Sequence, residues 1–210
     1  MEEIIDKLEQ TLLSVNHIAS NEILRSVENN FSPIELIEKL IVPAMNRIGD
    51  GWEKGTVALS QVYMSGKFIE NWVDKILPPG HPQRTDQPQM AIAVLEDYHM
   101  LGKRIVYSLL RASGFELKDY GHVTVKKVIK QIQEDKIQIL LISTLMLHSA
   151  LKVKELKEEI SKAGISTKIV VGGAPFRFDE ELWQEVGADA MAFNANDSIK
   201  IIHKLVEGKK

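Results

Sequence analysis

Asp97, His99 and Gly102 stand as Asp-x-His-x-x-Gly, directly after the apolar run Met90-Ala-Ile-Ala-Val-Leu95 and directly before a helical pattern. An imidazole so placed lies beyond the carboxyl end of a strand, where open α/β sheets bind their ligands. Asp97 is spaced to hold one ring nitrogen of His99, which leaves the other free as a base or a metal ligand. Ser143-Thr144-Leu145 and Gly172-Gly173 follow two further apolar runs. Small hydroxyl residues there leave a slot that a larger side chain would fill, and paired glycines let a flat ligand approach the backbone. Each also has a plainer reading on residue type alone. His99 reads as a loop histidine, Ser143 and Ser149 as turn or capping hydroxyls, and Gly172-Gly173 as a chain reversal.

The strands that must present these residues are expected at 91–95, 115–118, 137–142, 168–171 and 189–192. Helices are expected between and after them, near 101–112, 124–134, 150–163, 179–186 and 196–206. Such alternation predicts an α/β domain with a five-stranded parallel sheet in flavodoxin-like (Rossmann-like) order. Residues 1–77 show helical spacing only. Ile4, Ile5, Leu8, Leu12 and Val15 form one apolar stripe. Ser32-Pro33-Ile34-Glu35 reads as a helix start, carrying Leu36, Ile37, Leu40, Ile41, Met45 and Ile48 to an end near 49–51. A further helix over 59–76 should bury Val62, Phe68, Ile69, Trp72 and Val73. The expectation is a four-helix bundle over 1–77, a proline-rich linker over 78–88 and the α/β domain over 89–210.

Composition narrows the function classes. The chain has 210 residues, 44% hydrophobic and 26% charged, with a formal net charge of −3. That balance predicts a globular protein and makes no electrostatic case for nucleic acid or an anionic membrane. Cysteine is absent, so disulfides, thiolate zinc sites and iron–sulfur clusters are excluded. The first residues, Met1-Glu-Glu-Ile-Ile-Asp6, lack an apolar signal core, and the longest apolar runs are too short to span a bilayer. A cytoplasmic protein is expected.

Taken together, Asp97-x-His99-x-x-Gly102, Ser143-x-Leu145 and Gly172-Gly173 resemble the loops of the cobalamin-binding domain family. Upstream, Val42-Pro43-Ala44-Met45 through Gly49-Asp50-Gly51-Trp52-Glu53-Lys54-Gly55, then Leu59-Ser60-Gln61, resembles the helical cap domain that precedes it. The likeness covers nearly the whole chain. Its layout is similar to the corrinoid proteins of methyltransferase systems and to the two-domain module of cobalamin-dependent methionine synthase. The resemblance implies that cobalamin, as methylcobalamin or another corrinoid, binds base-off, with His99 ligating cobalt in place of dimethylbenzimidazole. It implies that Asp97 hydrogen-bonds this imidazole and that Ser149 continues the relay. Gly102, Ser143 and Leu145 would line a slot for the nucleotide tail, and Gly172 and Gly173 would flank the tail or the corrin edge. Trp52 and Leu59 would cover the upper face of the corrin, although isolated apolar residues read first as bundle core.

Several residues depart from the family pattern. Glu96 stands where a glycine usually precedes the aspartate, and Met100-Leu101-Gly102-Lys103-Arg104 replaces Asp-Ile-Gly-Lys-Asn. Leu147 occupies a position often held by a hydroxyl residue, Ser60 replaces the proline of the cap's Leu-Pro, and 121–124 lacks the usual Val-Pro.

The function so implied is a methyl carrier, a subunit of a methyltransferase system rather than a complete enzyme. Its partners would be a substrate-specific methyltransferase, an acceptor methyltransferase and a reductive activator. Two other readings compete. One is a cobalamin-dependent sensor or regulatory protein, whose relatives add a DNA-binding region. The other, a cofactor-free flavodoxin-like interaction domain, requires all three loop motifs to be coincidental.

Overall fold

Two helix starts in the first half are set by side chains that answer free backbone N–H groups. The Asn16 side chain accepts the Ala19 N–H at 3.1 Å. Ser32 Oγ accepts the Glu35 N–H at 3.3 Å, while the Glu35 carboxylate accepts the Ser32 N–H at 3.1 Å, a reciprocal cap. In the computed structural model, which describes residues 1–78, 81 and 87–207, these caps open two of the helices. The first half comprises α1 (Glu2–Leu13), α2 (His17–Glu28), α3 (Pro33–Leu36), α4 (Val42–Glu53) and α5 (Leu59–Ile76). A π-helical stretch, Ile37–Ile41, joins α3 to α4, so 33–53 runs as one helix. Pro43 explains the widening, because it has no N–H to donate and its ring would crowd the carbonyl four residues back.

Leu8, Leu12, Leu24, Leu40, Ile41, Ile48, Ile69 and Val73 form the buried centre of this helical unit. Val15 does not join the expected stripe. The helix stops at Leu13, and Val15 is exposed in a turn at φ +56. Phe68 is half-buried and stacks on His17, with ring centroids 4.7 Å apart.

In the second half, unbroken apolar runs mark strands buried on both faces. The strands are β1 (Met90–Leu95), β2 (Lys118–Val123), β3 (Ile139–Ser143), β4 (Lys168–Gly172) and β5 (Ala190–Ala192). They form one parallel sheet in the order β2-β1-β3-β4-β5, the flavodoxin-like order. Register is fixed by facing pairs such as Ile92 with Leu141 and Leu141 with Val170. The helices are α6 (Met100–Ala112), α7 (Val125–Glu134), α8 (Leu147–Lys162), α9 (Ala174–Phe178), α10 (Leu182–Glu185) and α11 (Ala195–Glu207). Of the helix expected over 179–186 only the short α10 forms, a further short helix, α9, precedes it, and α8 begins earlier than expected, at Leu147.

β2 also starts later than expected. Phe115 and Leu117 are buried but precede the strand, which is polar and lies at the sheet edge. Its polar groups find partners instead of a core. Lys118 pairs with Asp135, Tyr120 donates to Asp135 at 2.5 Å, and Asp119 pairs with the buried Lys103 of α6. A bulge shifts the pairing between Ile92–Asp119 and Ala93–Gly121, with Gly121 at φ +65.

The chain divides into two compact units, Met1–Thr85 with Ser108–Phe115, and Asp86–Tyr107 with Glu116–Lys210. The end of α6 belongs to the helical unit through hydrogen bonds. Ser108 donates to Glu70 at 2.7 Å, and the buried Arg111 donates to Asp74 at 2.6 Å. The linker expected over 78–88 lies largely outside the described residues. Among the described residues no helix is long and apolar enough to cross a membrane.

At the amino end of the sheet, Asp189 accepts Lys157 Nζ at 2.6 Å, Lys168 Nζ at 2.9 Å and the Ile169 N–H at 2.9 Å. Burial pushes its pKa up, but the two ammonium groups and the amide outweigh this and hold it below its ordinary value. The folded form therefore gains stability above the ordinary aspartate pKa of about 4, and loses it as pH falls through the lower folded value. Asp189→Asn should lower the melting temperature at pH 7, and the gap to the parent should close on acidification below about pH 4. A gap independent of pH in thermal melts would contradict this.

Candidate functional site

β1 does not end in a glycine. Glu96 itself takes the left-handed conformation, φ +47, which costs a residue with a Cβ roughly 1–2 kcal/mol. Its three polar groups are all engaged. The Glu96 N–H donates to the Val123 carbonyl at 2.9 Å, its carboxylate accepts the Val125 N–H at 3.1 Å, and its carbonyl accepts the Ser149 hydroxyl at 2.8 Å. The next residue, Asp97, is turned inward as a result.

Asp97 is buried, 4% exposed, and its carboxylate gathers two loops. Oδ1 accepts the Tyr98 N–H at 2.7 Å, the His99 N–H at 3.1 Å and His99 Nδ1 at 2.5 Å. Oδ2 accepts the N–H groups of Leu145 at 2.8 Å and Met146 at 3.1 Å. Burial by itself raises the pKa of this carboxyl. The Leu145 amide, the His99 ring and the other amides more than offset it and hold the group well below the usual carboxylate range. An ionised acceptor at Nδ1 places the ring proton there, so the lone pair of His99 sits on Nε2. The side chain is 56% exposed, and Nε2 takes no part in the loop's hydrogen bonds.

Around His99 the loops are close-set. A Cβ added to Gly102 would meet Ser143 Oγ at 3.4 Å, so α6 starts directly against the end of β3. Gly173 adopts φ +115 and ψ 178, a region nearly reserved for glycine, and an added Cβ would lie 1.8 Å from the Thr144 carbonyl oxygen. At Gly172 an added Cβ would stand 3.1 Å from the Ala192 carbonyl oxygen. Tyr98, Leu101, Leu145, Met146 and Leu147 expose apolar surface on these same loops. Tyr98 also stacks on His122, centroids 4.4 Å apart and planes 12° from parallel.

The structure thus brings together Asp97, His99 and Leu145 as one hydrogen-bonded unit, and sets Gly102 close against Ser143. Ser149 donates to the Glu96 carbonyl, while the Asp97 oxygens are taken by five other donors. The bare face of Gly173 lies against the Thr144 backbone. Trp52 and Leu59 belong to the helical unit, half-buried at either end of the turn joining α4 to α5. Gly51 closes that turn, its carbonyl accepting the Thr56 N–H at 2.8 Å and the Val57 N–H at 3.1 Å. Sequence reasoning missed the part played by Glu96 and the Tyr98–His122 stack. The departure of Glu96 from glycine was the available signal for the first.

Among the described residues no group of three or more His, Asp or Glu side chains could hold a metal ion. One imidazole nitrogen beside exposed apolar loops instead suits a metal that brings its remaining ligands in a macrocycle with apolar faces.

Comparison with known proteins places the chain among cobalamin-binding proteins. Residues 90–202 and residues 4–77 match two families, each described as a B12 binding domain. The chain is 31% identical to monomethylamine corrinoid protein 1 of Methanosarcina mazei, over 95% of this chain and 96% of that protein. It is similar in structure to a cobalamin-binding protein from Desulfitobacterium hafniense DCB-2, with a TM-score of 0.77 and 26% identity over 96% of this chain and 98% of the other. It shares its fold with the methanol:cobalamin methyltransferase complex MtaBC of Methanosarcina barkeri, with a TM-score of 0.70 and 21% identity over 99% of this chain and 81% of the other. On this sequence, fold and loop geometry, the chain belongs to the B12-binding domain family, a corrinoid protein whose cofactor is cobalamin with its cobalt.

Proposed function

We propose that the protein is a methyl carrier that holds cobalamin base-off, with His99 Nε2 as the protein's ligand to cobalt. It would serve a substrate-specific methyltransferase and an acceptor methyltransferase, with a reductive activator acting on the same cofactor. Corrinoid proteins of methylamine systems among its relatives support a methylamine as the donor class. Bound, the cofactor supplies a cobalt centre able to take up and release a methyl group, chemistry beyond any side chain of this protein. The chain contributes binding, orientation and exclusion of water.

The observation that carries the reading is the 2.5 Å hydrogen bond from His99 Nδ1 to Asp97. It fixes both the tautomer and the direction of the ring, as a side chain that would hold cobalt requires. Gly102, Ser143 and Leu145 would border the nucleotide tail, Ser149 would support their loop through Glu96, and Gly172 and Gly173 would stand at its edge. Trp52 and Leu59 would shield the upper face of the corrin. The carrier would work in the cytoplasm, as a subunit without a complete active site.

The test is reconstitution with hydroxocobalamin, followed by paramagnetic resonance of the one-electron-reduced form. Protein carrying 15N-labelled histidine should show an altered nitrogen splitting, and His99→Ala should abolish that splitting. Splitting that is indifferent to the label, or that survives His99→Ala, would overturn the assignment.

A further inference from the structure

The geometry points to Glu96 as a positioning residue for the histidine loop, one that replaces the freedom of a glycine with a side-chain lock. This inference rests on His99 as the ligand, as proposed above. A left-handed φ of +47 is strained for any residue with a Cβ, and it persists only where the surroundings over-determine it. At Glu96 they do. Its carboxylate accepts the Val125 N–H at the start of α7, where the helix dipole favours negative charge. Its carbonyl accepts the Ser149 hydroxyl from α8, and its N–H is tied to Val123 at the end of β2. One residue therefore joins the carboxyl ends of β1 and β2 to the starts of α7 and α8.

The site gains directly from this. Asp97 is the next residue, and where the turn points decides whether its oxygens reach the His99 ring and the Leu145 and Met146 amides of the loop after β3. A glycine could adopt the same φ without strain, but it would leave neighbouring conformations open and leave the Val125 N–H without the carboxylate. Glu96 narrows the turn to the conformation in which Asp97 reaches His99 Nδ1 and the Leu145 and Met146 amides together. The strain and the lock are two aspects of one device.

Three variants test this without any cofactor. In the unloaded protein, hydrogen exchange at the Leu145 and Met146 amides reports how often Asp97 releases them. Glu96→Gly should raise those exchange rates about tenfold, the loss of roughly one capping interaction. The melting temperature should change little, because relief of the left-handed strain offsets the lost cap. Glu96→Gln keeps an oxygen for the Val125 N–H and should restore exchange to within about twofold of the parent. Glu96→Ala, strained and without the lock, should both exchange faster and melt lower.

Loaded with hydroxocobalamin and reduced, Glu96→Gly should show a smaller fraction of histidine-coordinated cobalt than the parent or Glu96→Gln. Parent-like exchange in Glu96→Gly would overturn the inference. So would exchange that only follows the melting temperature across all three variants, the mark of a merely structural residue. If instead the parent shows no histidine coordination, the ligand assignment fails, while exchange in the unloaded protein still decides the role of Glu96.

Discussion

Asp97→Asn is expected to weaken retention of cobalamin roughly 10- to 100-fold, the usual effect of removing the residue that orients a metal-ligating histidine, the role proposed for His99. The substitution is nearly isosteric, so the reason is chemical. All five groups facing the Asp97 carboxylate are donors: His99 Nδ1 and four backbone amides. An asparagine has one acceptor oxygen, and its NH2 must confront donors on one side or the other. Either His99 loses its orientation, or the Leu145–Met146 segment is pushed away.

Those segments can reach water, so the protein should stay folded. A stability loss of about 2 kcal/mol would lower the melting temperature by roughly 4–8 °C for a chain of this length. Equilibrium dialysis with hydroxocobalamin, alongside thermal melts, measures both effects. Parent-like binding in Asp97→Asn would show that the five hydrogen bonds do not matter to the site.

Gly173→Ala should be the more damaging change to the fold itself, by at least about 4 kcal/mol. Two penalties coincide. The backbone at φ +115 and ψ 178 is one that residues with a Cβ rarely adopt, and the new methyl would stand 1.8 Å from the Thr144 oxygen and 2.9 Å from its carbonyl carbon. These are backbone atoms and cannot swing aside. Thr144, just beyond β3, is moreover tied to the end of β4, its N–H donating to the Gly172 carbonyl at 3.1 Å. The expected outcome is insoluble protein or a fall in melting temperature of at least about 8 °C. Gly164→Ala is the control: φ is +66 but nothing lies within 4 Å of an added Cβ, so only the conformational cost of about 1–2 kcal/mol applies. Equal losses in the two variants would remove Thr144 from the explanation.

These residues also show how far the sequence can be read. The apolar runs of β1, β3 and β4 reveal strands because burial on both faces leaves only one kind of residue suitable. β2 was misplaced for the opposite reason. At the edge its polar side chains are satisfied by Lys103, Asp135 and each other's backbone, and none of that leaves an apolar pattern.

Asp97 and His99 were legible as a pair because their hydrogen bond is local. The reach of Asp97 to the amides of Leu145 and Met146 was not, since it joins residues 48 and 49 positions apart. Ser149 stands beside Asp97 only by family pattern; its hydroxyl donates to the Glu96 carbonyl, a contact between residues 53 positions apart that no local spacing reveals. The approach of the Thr144 carbonyl to Gly173 was not legible either, because sequence shows a missing side chain without showing what fills the space.

The bulge in β2 has a consequence away from the ligand. A parallel sheet has two rims, and a flat rim of unpaired N–H and C=O groups invites a foreign strand to add on. One rim is β2, polar, kinked at Gly121 and carrying Lys118; the other is β5, three residues long. Neither offers a template for fibrillar growth, so the exposed apolar loops come without a strand edge along which copies of the chain could zip together.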